Sequence, residues 1–545
     1  MSLIDWFNSL WKPKSPVTQK NDAATAGTAG GSGGANGSAT SATPANLGRT
    51  LLIHGYSADG NDLKPWREVL DKANIPTVSI EIGNYITLNN EVTIKDLGEA
   101  FDRALRFTAW SKGSKDDTWT FDAIVHSTGM LVVRQWLTSD PFPITDPRSR
   151  VRRLKHLVGL APATFGSPQA QKGRSWLGAI VKGNRHLGPD FLNAGNQVLD
   201  GLELGSRYTW ELAHRDMLSS APLYDQGNQT PYVAVFIGNT AYSGLAALSN
   251  SPGCDGTVRW AGCSLNTRKV SLDFRREPKL TDSQGNPLKD AQGNLLRCSI
   301  TAWEFGRLAA PMIAVEGQNH GTIVSNPDPQ VAELIKSFVT TVTDAESYGV
   351  WETAAKTFGA GALEKMNEES SEGAFGGAGW QQLVVRTVDD HGDGVTDYNV
   401  QLFIGEDLEQ SDDPDFRPIP LIADTYSGDG SYRCFYIRLS KDMLALNTPE
   451  GEKKKMWIEL IASSGSKLIE YEAYTGQAGD PQPLTIDHEG GKPVKLDITR
   501  LAQGTQTLLY PYTTTLLELF VEREPMPLGQ VSEIFNFLPP DQKPQ

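Results

Sequence analysis

The sequence predicts an α/β protein in two parts: a parallel sheet covered by helices and interrupted by a helical insertion, followed by an antiparallel β-sandwich. Three observations predict it. Apolar strand-like runs alternate with amphipathic helical stretches from Gly48 to Asp344, the pattern of a parallel sheet buried on both faces. Beyond a glycine-rich stretch, the apolar residues change to period two from Gln381 onward, as antiparallel strands require. Between these, Phe121 to Arg134 reads FDAIVHSTGMLVVR. That stretch places a serine on the turn between a buried strand and a helix that starts at once, so its hydroxyl stands at the top of the sheet.

The first residues, 1–14, read MSLIDWFNSLWKPK. They lack the basic start, long apolar core and small-residue cleavage site of a signal peptide, and Asp5 comes early. The location this implies is cytoplasmic, or reached by export without a cleavable signal. Leu3, Ile4, Phe7, Leu10 and Trp11 line one face of a short helix, with Trp6 beside them. Two readings fit: a helix that docks transiently on a membrane surface or a partner, or one that packs on its own protein. Residues 15–47 are Gly, Ala, Ser, Thr and Asn with little apolar bulk, the composition of a flexible tether.

The α/β part is expected over 48–345. Arg49 to Ile53 is its first strand, followed by His54-Gly55-Tyr56. Lys64 to Ala73 reads as a helix, Thr77 to Glu81 as a strand, and Ile94 to Trp110 as a helix through Leu97, Phe101 and Leu105. The serine strand and its helix come next. Further strands are expected at Leu154 to Leu160, Tyr232 to Gly238 and Met312 to Glu316, with a closing helix from Gln330 to Thr343. Residues 165–223 are an excursion with no strand of their own, read either as a lid over the active site or as an extra helical layer. Leu265 to Thr301 carries a small hairpin insertion. Residues 346–379 are a helix and a glycine-rich linker, and 380–545 the sandwich, with strands at Gln381 to Val388, Asn399 to Ile404, Tyr432 to Leu439, Lys455 to Ala462, Leu468 to Tyr474, Val494 to Ile498 and Thr514 to Arg523.

The composition narrows the function. A net charge of −15 argues against nucleic acid as a partner. The four cysteines in 545 residues are no disulfide framework. Cys254 and Cys263 are close enough to bridge a loop, but reduced thiols are the expectation. The acidic stretch DDHGDGVTD (Asp389 to Asp397) lacks the EF-hand spacing and its closing Glu, and reads as a solvated turn. No metal or cofactor is expected.

Ser127 as a nucleophile needs a histidine base, and that histidine a carboxylate. Among eight histidines, His320 in EGQNHG is the one on a loop after the last strand of the sheet. Asp255, in SPGCDGTVRW, follows the strand Tyr232 to Gly238 and is the expected acid; Glu316, at a strand end, is its rival. The backbone N–H groups of Tyr56 and Thr128 are the expected oxyanion donors. His54, Gly55, His126 and Gly129 belong to the turns that shape the site. Val125 stands where the G-x-S-x-G elbow has its first glycine.

In LLIHGY, VHSTG, CDGTV and the NHG around His320, and in the order Ser127, Asp255, His320, the chain resembles the lipase and esterase branch of the α/β-hydrolases. The resemblance covers Gly48 to Asp344. It implies hydrolysis of lipid carboxylic esters through an acyl-enzyme on Ser127, without a cofactor, as in lipases and phospholipases. By analogy alone, the sandwich is a lipid-contacting module. Other readings are an acyltransferase on the same three residues, a non-catalytic lipid- or protein-binding protein on this scaffold, and a peptidase.

Overall fold

The computed structural model describes residues 50–54, 63–80, 91–107, 119–170, 196–220, 223–224, 229–244, 247, 250–275, 299–305, 310–371, 376–405, 417–419, 421–445, 455–473, 484–485, 494–497 and 508–527. The N-terminal helix expected over 1–14, the tether 15–47, Gly55, Tyr56 and the QGN turns of the hairpin insertion lie outside them.

The α/β part is built on a six-stranded sheet. Its strands are Thr50–Ile53 (β1), Thr77–Ile80 (β2), Phe121–His126 (β3), Leu154–Leu160 (β4), Tyr232–Gly238 (β5) and, after two strands that leave the sheet, Met312–Val315 (β8). The two that leave are Thr267–Asp273 (β6) and Ser299–Phe305 (β7). The spatial order is β2-β1-β3-β4-β5-β8, and every pairing is parallel. β1, β4 and β5 are apolar runs buried along nearly their whole length, as a sheet covered on both faces demands. The chain winds outward from β1 to β2, then returns to β3 and winds the other way. The reversal between β1 and β3 is the position where open parallel sheets bind ligands, beyond the carboxyl ends of the strands.

Helices Lys64–Lys72 (α1), Ile94–Phe107 (α2) and Gly129–Thr138 (α3) follow β1, β2 and β3. α2 lies against α3, where Phe101 meets Trp136 edge-on with ring centroids 5.4 Å apart. α1 packs instead with the closing helix Pro329–Thr341. Its Trp66 donates an indole N–H to the carbonyl of Ile323 at 3.0 Å.

The described part of residues 165–223 forms the extra helical layer. Helices Asn196–Leu202 (α4) and Arg207–Arg215 (α5) carry Val198, Leu202, Trp210, Leu212 and Ala213 into the main core. A fully buried ion pair holds the layer: Asp216 accepts from Arg134 of α3 at 2.7 and 3.1 Å and from the Tyr224 hydroxyl at 3.1 Å. These helices therefore belong to the main core; residues 171–195 lie outside the described ones. Asp216→Ala leaves Arg134 buried without its counter-charge, and an expected loss of about 3–5 kcal/mol of unfolding free energy follows. Urea titration of the full chain measures it, and an unchanged midpoint would remove this account of the layer.

Pro329–Thr341 is α6, and it is followed by one long helix, Ala345–Glu369 (α7), capped by Asp344, which accepts from Ser347 N–H. Of the glycine-rich linker expected within 346–379, Gly359 and Gly361 are helical. Gly359 is needed where α7 crosses β8, since a Cβ there would sit 3.1 Å from the Ala314 carbonyl. The linker is thus confined to the few residues after Ser370.

The sandwich strands are Gly377–Asp389 (β9), Asp397–Gly405 (β10), Arg417–Pro418 (β11), Leu421–Thr425 (β12), Tyr432–Ser440 (β13), Lys455–Ser463 (β14), Ile469–Ala473 (β15), Leu484–Thr485 (β16), Val494–Asp497 (β17) and Thr514–Pro525 (β18). One sheet has the order β11-β10-β14-β17; the larger runs β12-β13-β9-β18-β15-β16. All pairings are antiparallel except two of β18, which lies parallel to β9 and to β6 but antiparallel to β15.

That last pairing corrects the expected boundary. The hairpin β6–β7 comes from within 48–345, yet it extends the larger sandwich sheet rather than forming an insertion of its own. The same sheet is buried on both sides. Leu383, Val385, Phe435, Ile437, Leu517 and Leu519 point into the sandwich core. The alternate residues Trp380, Val384, Tyr432, Tyr436 and Leu516 join the core of the α/β part. Period-two alternation here separates two cores.

Candidate active site

Ser127 sits between the end of β3 and the first turn of α3 with φ +52°. A non-glycine residue in the left-handed region is strained by about 1–3 kcal/mol and persists only where its surroundings over-determine it. Here they do. The Ser127 N–H donates to Leu160 O of β4, and the Ser127 carbonyl accepts from Ala163 N at 3.0 Å. Gly129 lets the helix begin so soon: a Cβ would lie 2.9 Å from the Ile53 carbonyl and 3.3 Å from that of His54. Val125, at the position where the elbow pattern has glycine, is fully buried and stands opposite Gly159 of β4.

Asp255 and His320, from the loops after β5 and β8, are in contact. His320 Nδ1 lies 2.9 Å from Asp255 Oδ2, and His320 N–H donates to the Asp255 carbonyl at 2.9 Å. Asp255 is fully buried. Its other carboxylate oxygen, Oδ1, accepts from the N–H groups of Thr257 (3.0 Å) and Val258 (2.8 Å). Oδ2 is therefore the oxygen left to accept from the imidazole, which fixes Nδ1 as the protonated nitrogen and leaves Nε2 as a base.

His126 joins this pair to the serine turn. Its ring lies 4.7 Å, centroid to centroid, from that of His320, and its Nε2–H donates to the His320 carbonyl at 3.2 Å. Burial, and then the neighbouring His320, hold the His126 imidazole well below the usual histidine range. It is uncharged at neutral pH and acts as a wall and donor, not a competing cation. His54 is buried at the end of β1, near enough to His126 to add to that lowering. Thr128, also buried, is the N-cap of α3, so its peptide stands at the positive end of the helix. Tyr56 and Gly55 lie outside the described residues.

Glu316 has other partners. It pairs with Lys365 of α7 at 2.6 Å and accepts from Asn239 Nδ2 at 3.0 Å. The Lys365 hydrogen bond holds its carboxyl below the usual range. Asn239 shapes the histidine loop from the other end of its side chain, accepting from Gly317 N–H at 2.8 Å. Behind Asp255, the Tyr242 hydroxyl bonds Thr257 Oγ1 at 2.9 Å. Asn239 and Tyr242 carry no sequence signature; each is recruited by loop packing. Cys254 and Cys263 are free and buried, and burial pushes the Cys254 thiol up to about 11. Asp389, His391 and Asp393 come together, with ligand atoms all within 4.8 Å. Asp389 Oδ1 there closes a turn by accepting from His391 and Asp393 N–H.

A parallel sheet with this winding, a strained serine at the end of β3, and loops after β5 and β8 bearing a paired carboxylate and histidine define the α/β-hydrolase fold, here joined to a β-sandwich. No protein-family model matches the chain, and no curated protein matches it. Two solved structures of the phospholipase PlaB from Legionella pneumophila, one in complex with thio-NAD, are similar to it. Each matches with a TM-score of 0.62 at 20% identity, over 90% of this chain and 97% of that one. At that identity the likeness establishes the fold, sandwich included. The mature lipase BlEst2 of Bacillus licheniformis matches 55% of the chain at 12% identity, and its TM-score of 0.34 adds no further argument. Among the described residues, no helix is long and apolar enough to cross a membrane.

Proposed function

We propose that the chain is a serine hydrolase of lipid carboxylic esters, with Ser127 as nucleophile, His320 as base and Asp255 as the residue that orients it. The observation that carries the reading is the Asp255–His320 pair at 2.9 Å, linked through His126 to the turn that strains Ser127. In this reading Ser127 Oγ attacks the ester carbonyl and passes its proton to His320 Nε2. The tetrahedral oxyanion is held by the peptide N–H groups of Thr128 and Tyr56. Collapse expels the alcohol, which takes the proton from His320. Water then attacks the acyl-enzyme, again through His320, and releases the carboxylic acid and Ser127.

The lipid part of the proposal draws on the overall likeness to PlaB, whose name calls it a phospholipase. An acyltransferase uses the same residues with an alcohol in place of water. One experiment addresses both. The full chain is incubated with a mixed lipid extract, with and without added alcohol acceptors, and the products are identified by mass spectrometry. Release of free fatty acid is the expected result, abolished in Ser127→Ala. New esters appearing at the expense of fatty acid would move the assignment to acyl transfer. No conversion of any lipid or short-chain ester would overturn the hydrolase reading.

A further inference from the structure

The loop that carries Asp255 is gripped from outside the α/β part. Tyr436 of β13 is fully buried, and its hydroxyl donates to the Gly253 carbonyl at 2.6 Å. Trp380 of β9 stacks on Tyr436 with centroids 4.9 Å apart and planes at 13°. On the far side of Asp255, Arg259 Nη2 bonds Asp424 of β12 at 2.6 Å. The Arg259 guanidinium also lies over the Tyr436 ring, 4.6 Å from its centroid. Cys254 and Arg259 pair as a β-bridge, so the two gripped ends are tied to each other around Asp255. The α/β part holds the loop as well: the Trp260 indole N–H donates to Gly238 O at 3.0 Å, Ser167 Oγ to Thr257 O at 2.6 Å, Gln169 Nε2 to Gly256 O at 3.1 Å, and His320 N–H to Asp255 O at 2.9 Å.

A carboxylate that orients a catalytic histidine must be held within a fraction of an ångström, and a shift of about 1 Å far from the chemistry can lower the rate about a hundredfold. A loop alone does not supply that precision; its supports do. We propose that Tyr436 and the Arg259–Asp424 ion pair are positioning residues through which the C-terminal sheet sets Asp255 against His320. The sandwich then completes the active site while touching neither substrate nor the reacting atoms. This inference rests on the reading of Asp255 as the acid of a serine hydrolase.

Tyr436→Phe is a clean probe. It keeps the ring against Trp380 and Arg259, and the Gly253 carbonyl still accepts from Trp260 N–H at 3.0 Å. Full-length wild type, Tyr436→Phe, Asp424→Asn, Asp255→Asn and the double variant Tyr436→Phe/Asp255→Asn are treated with a fluorophosphonate. The probe phosphonylates a serine oxygen with loss of fluoride. The maximal inactivation rate, the half-saturating probe concentration and the melting temperature are measured for each. Tyr436→Phe is expected to slow inactivation about tenfold to a hundredfold at unchanged half-saturation, and to cause no further loss once Asp255 is Asn, because it acts through that carboxylate. Asp424→Asn should behave alike, and serves if Tyr436→Phe does not fold.

Wild-type rates in both single variants would overturn the inference. So would an equal loss with and without the Asp255 carboxylate, which is the signature of general loosening. Failure of the wild type itself to label at Ser127 is a separate result: it overturns the hydrolase reading, and this inference with it.

Discussion

On the proposed mechanism, Ser127→Ala is expected to lower ester hydrolysis by about 10⁶-fold, the scale on which losing a triad serine acts, while the melting temperature hardly moves. The first half follows from the chemistry: without Oγ there is no acyl-enzyme, and the oxyanion donors and binding alone leave only residual catalysis. The second half follows from the packing. Ser127 is half-buried, and the described hydrogen bonds that hold its turn use its backbone, through Leu160 O and Ala163 N. Alanine keeps those bonds and inherits the same φ of +52°, so the strain is carried over rather than relieved. Hydrolysis of short p-nitrophenyl esters by the purified variant, with a thermal melt alongside, reads both. Wild-type turnover in a folded Ser127→Ala protein would mean that another residue is the nucleophile.

On the same mechanism, Asp255→Asn is expected to lower kcat by about 10⁴-fold, the magnitude seen when a triad histidine is held in the wrong tautomer. The hydrogen bonds around the carboxylate say why the amide cannot substitute. Oδ1 is already taken by the Thr257 and Val258 N–H groups. The asparagine must keep its oxygen there and turn its NH₂ toward His320. The imidazole can then only accept at Nδ1, which moves its proton to Nε2 and removes the base. Glu316→Gln is the control. Its partners are Lys365 and Asn239, and its side chain is 54% exposed, so its loss should change kcat little. Steady-state kinetics of the two variants side by side give the ranking. A severe Glu316→Gln beside a mild Asp255→Asn would reverse the assignment of the acid.

The buried helical layer and the shared sheet set limits on what can be removed from this chain. Trp210, Leu212 and Ala213 lie in the main core, and the Arg134–Asp216 pair is fully buried. Trimming residues 165–223 therefore strips core, and a test of substrate access by deletion would confuse access with folding. The same holds for the sandwich. Its sheet gives Trp380, Val384, Tyr432 and Tyr436 to the core of the α/β part. An isolated α/β part would expose that face and lose the supports of the Asp255 loop.

By itself, the sequence determined what depends on short range and on the ends of strands. Apolar runs and period-two alternation are local consequences of backbone geometry, so the six strands of the parallel sheet and the seven main strands of the sandwich were legible from Arg49 to Arg523. The Asp255–His320 contact was legible because a parallel sheet brings the carboxyl ends of its strands to one edge, so residues just beyond β3, β5 and β8 had to converge. Only the tertiary structure decided the rest. The pairing of β6 with β18 joins stretches some 250 residues apart in the chain, and no local pattern specifies such a partner. Gly359 reads as a linker residue on composition, yet it lies inside α7, where a Cβ would sit only 3.1 Å from the Ala314 carbonyl of β8. The buried faces of β9 and β13 look alike in sequence whichever core they enter. That Tyr436 turns toward the Asp255 loop, and Phe435 away from it, follows from the register that seats the sheet between two cores.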